Sequence, residues 1–159
     1  MNEIKDLARG AIERRRQDVI DAGDRILHMP ELGFKEYRTA GVAKEFLESL
    51  GLAVRDRIAL TGLKAILDTG RPGPTVAVMG ELDALVVAGH PLADPETGAA
   101  HACGHNGQIA GMLGAAIGLS DPAVLTGLCG RVVFIAVPAE EYVEVEYRRD
   151  LVRSERLHF

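Results

Sequence analysis

The sequence contains no tryptophan, and aromatic residues make up only 4% of its 159 positions. That leaves no series of flat rings on which single-stranded nucleic acid could stack. Positive charge is in the minority: 18 Lys and Arg stand against 23 Asp and Glu, for a net charge of −5. This balance argues against DNA or RNA as a partner. The one basic run, Arg14-Arg15-Arg16, falls mostly on the wet side of an amphipathic pattern and reads as a solvated face. Two cysteines, Cys103 and Cys129, are too few for a disulfide framework. No run of about 18 apolar residues is present to span a membrane, and the charged N-terminus lacks the apolar centre of a secretion signal. These absences predict a cytoplasmic protein with no nucleic-acid and no membrane partner. Apolar residues, by contrast, make up 47% of the chain, enough for a real core in one domain or part of one.

The apolar residues are patterned. Ile4, Ala8, Ala11, Ile12, Val19, Ala22 and Ile26 lie near one stripe and predict a single long helix over residues 2–28, stopped by Pro30. Residues 37–50 predict a second helix, ended by Gly51. Two short strands are expected at 52–58 and 63–67. Thr75–Met79 and Arg131–Val137 are almost unbroken apolar runs, the pattern of strands covered on both faces in an α/β sheet. Between them, a loop over 86–98 leads to a glycine-rich helix ending near Leu119. A charged, solvated helix is expected over 147–157. His28 and Glu31, in the HMPELGF turn, read as turn-fixing groups, His90 as a loop residue and Cys129 as structural.

Chemistry concentrates at three places. Ala99–Gly107 puts His101, Cys103 and His105 within five positions, padded by Ala and Gly. In an extended segment Cys103 and His105 point to one side, where a thiolate and an imidazole can share a divalent transition metal. The following helix N-terminus favours a thiolate. A buried Cys beside a core His remains open on spacing alone, since one C-x-H pair supplies only two of the three or four ligands a site needs. Glu81 and Asp83 follow the first apolar run, and Glu140-Glu141 follow the second. Ligand crevices in α/β sheets lie outside the carboxyl ends of the strands. The combined inventory is that of metal-assisted hydrolysis, in which a divalent cation acidifies water and a carboxylate takes the proton.

HMPELGF (28–34), VMGELDAL (78–85), AHACGHNG (100–107) and PAEE (138–141), in this order and spacing, resemble the M20 metallopeptidase-like amidohydrolases. The subgroup most similar contains the N-acyl-amino-acid, indole-acetyl-amino-acid and p-aminobenzoyl-glutamate hydrolases. The resemblance implies an α/β fold, namely the incomplete N-terminal part of a zinc-peptidase-like catalytic domain with a mixed sheet flanked by helices. It implies a centre of two divalent ions, Mn or Zn, and cleavage of an amide bond in a small-molecule substrate. Carried over by motif, Cys103, His105 and Glu141 are metal ligands, Glu140 is the general base, and Asp83 orients a metal-binding imidazole. Many relatives carry Asp where this chain has Asn106, so a charge near the metals is missing. Two further histidine ligands of the family lie beyond the PAEE segment, and the only later histidine here is His158. The expectation is therefore that residues 1–159 are the N-terminal portion of the catalytic domain, without the lid domain and the C-terminal catalytic part. Fewer than two ions are then expected to bind, with a complementing chain or a homo-oligomer as possible completion. The competing expectation is a non-catalytic truncated remnant; a redox or structural-zinc module using Cys103 is a third reading.

Overall fold

The computed structural model describes residues 2–141, 145–154 and 156. Six helices and six strands follow one another as α1 (Asn2–Arg14), α2 (Arg16–Leu27), α3 (Tyr37–Ser49), β1 (Val54–Ile58), β2 (Gly62–Asp68), β3 (Thr75–Glu81), β4 (Leu85–Val86), β5 (Ala99–Ala100), α4 (His105–Ser120), α5 (Pro122–Leu125), β6 (Arg131–Val137) and α6 (Val145–Arg153). Four strands form one mixed sheet in the order β1-β2-β6-β3. The pairs β1/β2 and β2/β6 are antiparallel, while β3 and β6 run parallel from Thr75↔Arg131 to Glu81↔Val137. The parallel pair is joined through α4, so both strands end at the same edge of the sheet, where α4 begins.

The α/β class and the mixed sheet agree with expectation; three local readings do not. The single helix over 2–28 is two helices, broken at Arg15 (φ −115°, ψ 20°). Both pieces pack on α4, and in addition α1 reaches α5 and α2 reaches α3. One straight rod could not follow both directions. The arginines at the break stay on the surface: Arg14 pairs with Asp121 at 2.8 Å, and Arg15 pairs with Asp18 at 2.7 Å and covers the Phe46 ring.

Among the described residues, the apolar runs of β3 and β6 carry their helix cover on one face; on the other, Val133, Ile135 and Val137 of β6 are half-buried. Helices α3 and α4 lie on one face only, α3 against β1 and β2, α4 against β3 and β6. On that face Leu63, Ala65, Leu67, Phe134 and Ala136 join Ile109, Met112, Leu113, Val42 and Leu47 in one buried cluster. The alternate residues face the other way, where Ile66 is 45% and Met79 61% exposed. Strand β3 is moreover an edge strand among the described residues. An unbroken apolar run reports hydrophobicity on both faces, not which face a helix has reached.

The third difference is the charged helix. It spans Val145–Arg153 and is not wholly solvated: Leu151 is fully buried against Phe34 and Ala139. Leu157 and His158 lie outside the described residues. The loop over 86–98 is closed at its base by the β4/β5 pair, Leu85↔Ala100 and Val86↔Ala99, which returns the chain to the His101–His105 segment. No described helix is long and apolar enough to cross a membrane.

Candidate metal centre

The site lies at the carboxyl ends of β3 and β6. Strand β3 delivers Glu81 and, two residues on, Asp83. The turn after β6 delivers Glu140 and Glu141. The N-terminus of α4 delivers His105, with Cys103 just before it. This convergence follows from the β3–α4–β6 crossover, because strand ends and helix start then share one edge.

Cys103 and His105 reach a common side by a different route from the extended one. Gly104, between them, adopts a left-handed conformation (φ 94°, ψ 18°) and caps α4. A residue with a Cβ is strained in that region, which explains the glycine. His105 is 2% exposed. Its Nδ1 lies 2.8 Å from the main-chain oxygen of Asp83. A carbonyl only accepts, so Nδ1 carries a proton toward Asp83, and Nε2 is the ring nitrogen that faces the cluster.

Around Nε2 stand three carboxylates. Glu81 Oε2 is 2.8 Å from Nε2, Glu141 Oε1 3.6 Å and Glu140 Oε2 3.9 Å. Asp83 is on the other side of the ring, its Oδ1 3.3 Å from Nδ1. Two triads offer ligand atoms within 4.8 Å of one another: Cys103, His105 and Glu141, and Glu81, His105 and Glu140. Two ligands sharing one cation through bonds of ~2.1 Å lie ~3–3.5 Å apart, a spacing bracketed by the distances around Nε2.

The electrostatics agree with such an ion. Carboxylates packed together around one ring nitrogen repel one another unless a positive charge stands among them. The buried atoms Asp83 Oδ1 and Glu141 Oε1 make no hydrogen bond among the described residues. Cys103 runs against its expected behaviour: the helix start does not lower its pKa. The hydrogen bond to Glu141 and that residue's charge raise it, with burial, Glu140 and Glu81 adding. A divalent cation reverses this logic, deprotonating a coordinating thiol outright. The donor set, one thiol, one imidazole and three carboxylates, fits divalent zinc or manganese.

Asp83 is 1% exposed and holds the geometry from behind. Its carbonyl fixes the His105 tautomer, and its Oδ2 accepts the Glu141 main-chain N–H at 3.0 Å. His101 is buried, and both its ring nitrogens lack a partner among the described residues. Burial first, and His105 second, lower its pKa to about 4, so it is neutral. Asn106 does not face the cluster: its amide reaches toward the Gly23 carbonyl on α2 at 3.5 Å. Asp in its place would therefore not simply add charge among the ligands. Glu31 fixes its turn as expected, accepting from the main-chain N–H groups of Arg38 and Thr39 at the start of α3. His28 bonds the Asp24 carbonyl and His90 accepts from Leu92, both away from the site.

Sequence reasoning left Glu81 without a role, although it is the carboxylate nearest His105. Its position two residues before Asp83 at the end of a strand was the available signal. It missed Glu36, which is fully buried and bonded to Ala139 beside the glutamate pair. Nothing local in the sequence marks that contact.

A site of this composition at a strand-end crevice is a candidate centre for divalent metal, and its relatives indicate the family. The chain is 37% identical over 115 residues to the IAA-amino acid hydrolase ILR1-like 2 of Arabidopsis thaliana, and 35% identical over 121 residues to the N-acetyl-L-cysteine deacetylase of Bacillus subtilis. Those matches cover 70% and 74% of this chain, but 26% and 29% of the relatives. Among solved structures, the Bacillus subtilis YXEP protein, described as a dinuclear metal-binding peptidase of the M20 family, superposes with a TM-score of 0.72 at 29% identity, over 87% of this chain and 40% of that one. No family model matches the chain. The chain belongs to the M20 metallopeptidase-like amidohydrolases. It spans less than a third of the length of these two curated relatives.

Proposed function

We propose that this chain is the N-terminal portion of the catalytic domain of an M20 enzyme that hydrolyses the amide bond of small N-acyl or aminobenzoyl amino acids. The observation that carries this reading is the cluster itself: Cys103, His105 and three carboxylates gathered around one imidazole nitrogen at the crevice end of the sheet. Relatives that act on an indole-acetyl amino acid and on an N-acetyl amino acid support the amide class.

Cys103, His105 and Glu141 would hold one divalent ion. Glu81 and Glu140, sharing His105, form the neighbouring group of ligand atoms. When bound, the cation polarises an amide carbonyl and acidifies water. Glu140 is the most accessible carboxylate of the set, its side chain 48% exposed beside the buried ring. It is placed to take a proton at a carboxylate oxygen and return it to the leaving amine. Asp83 does not reach substrate; it keeps the Nδ1 proton of His105 in place and anchors the main chain of Glu141. Binding of two ions, as opposed to one, calls for ligands beyond this set. The surroundings are taken to be cytoplasmic, which keeps Cys103 reduced.

The test is metal content after purification with Mn or Zn, joined to an assay on p-aminobenzoyl-glutamate and a panel of N-acyl amino acids. Bound metal, and turnover that drops ~10²–10⁴-fold in Glu140→Ala, is the expected result. Absence of both metal and turnover would assign the chain to the non-catalytic remnant instead.

A further inference from the structure

We propose that Glu36 is a positioning residue of this site, a buried carboxylate that clamps the turn presenting Glu140 and Glu141. Glu36 is 0% exposed. Its two oxygens have separate tasks: Oε2 accepts the Thr61 hydroxyl at 2.5 Å, and Oε1 accepts the Ala139 main-chain N–H at 2.8 Å. Both donors are neutral, so the carboxyl group is buried without a charge partner in these bonds, a costly arrangement for a group with no task.

Three chain segments meet at this carboxylate: the turn before α3, the β1–β2 turn and the turn after β6. Each contains a left-handed non-glycine residue. Phe34 (φ 62°) precedes Glu36, Ala59 (φ 49°) and Leu60 (φ 77°) precede Thr61, and Ala139 (φ 51°) precedes Glu140. Only Arg57 among the described non-glycine residues shares this conformation elsewhere, and it too is in the β1–β2 region. Such backbone persists only where its surroundings over-determine it. One carboxylate bonding two of the three segments, from the third, is such a constraint.

The clamp acts on the reactive pair. Ala139 N–H is held by Glu36, and Glu141 N–H is held by Asp83 Oδ2 at 3.0 Å. Glu140 lies between two fixed peptide groups, which sets its direction while its side chain stays accessible. Glu36 belongs to neither ligand triad, so it acts through Ala139 and not on an ion or a substrate. The inference rests on the assignment of Glu140 and Glu141 to the metal centre.

The experiment compares the wild type with Glu36→Ala, Glu36→Gln and Thr61→Val, by amide hydrogen exchange and by Co²⁺ titration followed by absorption. Glu36→Ala is expected to speed exchange of the Ala139 and Glu141 amides roughly tenfold or more, with the β6 ladder unchanged, and to weaken Co²⁺ binding by about 10–100-fold with an altered spectrum. Glu36→Gln keeps an acceptor for Ala139, and the Thr61 hydroxyl can reverse its role, so both readouts should return close to wild type. Should Glu36→Ala fail to fold, Thr61→Val, which removes one bond, must still loosen the turn. Wild-type exchange and spectrum in Glu36→Ala, or in Thr61→Val where that is the surviving variant, would overturn the clamp. So would a Glu36→Gln as impaired as Glu36→Ala. A wild type that binds no Co²⁺ defeats the metal reading alone, because exchange at Ala139 still decides on the clamp.

Discussion

Replacing Gly80 by alanine tests how the helix start is held over the strand end. Gly80 is in β3, next to Glu81, and is buried under α4. A Cβ there would meet Ile109 Cδ1 at 2.9 Å, Ile109 Cα at 3.2 Å and Gln108 O at 3.3 Å. The methyl contact can be relieved by a rotamer change, though Ile109 is fully buried and has little room. The two backbone contacts can be relieved only by moving α4 outward a few tenths of an ångström. Overpacking of this kind costs ~1–3 kcal/mol. Lower entropy of the unfolded alanine chain returns ~0.4–1 kcal/mol. The net expectation is a loss of ~0–2.6 kcal/mol, centred on about 1.3 kcal/mol, for which the urea midpoint falls by roughly 0.5–1 M in unfolding followed by circular dichroism. His105 is one turn before Ile109, so the same shift should lengthen its 2.8 Å contact with Asp83 O and weaken metal binding several-fold. Gly111→Ala is the matched control: Gly111 is exposed on α4 with nothing within 4 Å of a Cβ, and should gain up to ~1 kcal/mol. A Gly80→Ala midpoint equal to the wild type's would refute the claim that helix–strand approach at this glycine is what seats the site.

Three further outcomes are expected. Burial raises the pKa of Glu36 to about 7, against the ordinary 4.5, despite the opposing bond from Thr61. Between those values the folded protein holds a proton that the unfolded chain has released. Its contribution to stability is therefore present in full below pH 4.5 and falls as pH rises toward 7, by up to about 3 kcal/mol; unfolding of Glu36→Gln should lack this component, and an unchanged pH slope would contradict it. Gly104→Ala should cost ~1–2 kcal/mol from its left-handed backbone alone, since no neighbour lies within 4 Å, and should separate Cys103 from His105, seen as weaker Zn²⁺ binding in a chelator competition. Asp83→Asn should lower metal affinity about 10–100-fold while the fold persists; undiminished affinity would remove Asp83 from its role behind His105 and Glu141.

Much of the site was legible because its residues are close along the chain. C-x-H at 103–105, E-x-D at 81–83 and the Glu140-Glu141 pair are local patterns, and each follows an apolar run or precedes a helical one. Strand ends next to a helix start then suffice to place them at one edge. The direction of approach was not legible. Spacing does not say that Gly104 turns left-handed, that Glu81 stands on the Nε2 side of His105 with Asp83 behind, or that Asn106 turns to α2.

The sequence by itself determined the α/β class, the family and the chemical inventory of the centre, because apolar periodicity and short-range motifs are properties of neighbouring residues. Only the tertiary structure decided which faces of the sheet the helices reach, where the first helix breaks, and which carboxylate bonds the turn that bears Glu140 and Glu141. Those outcomes depend on helices competing for one surface and on contacts such as Glu36 with Ala139, which are 103 residues apart. A burial environment is created by the assembled fold and is carried by no local stretch of the chain.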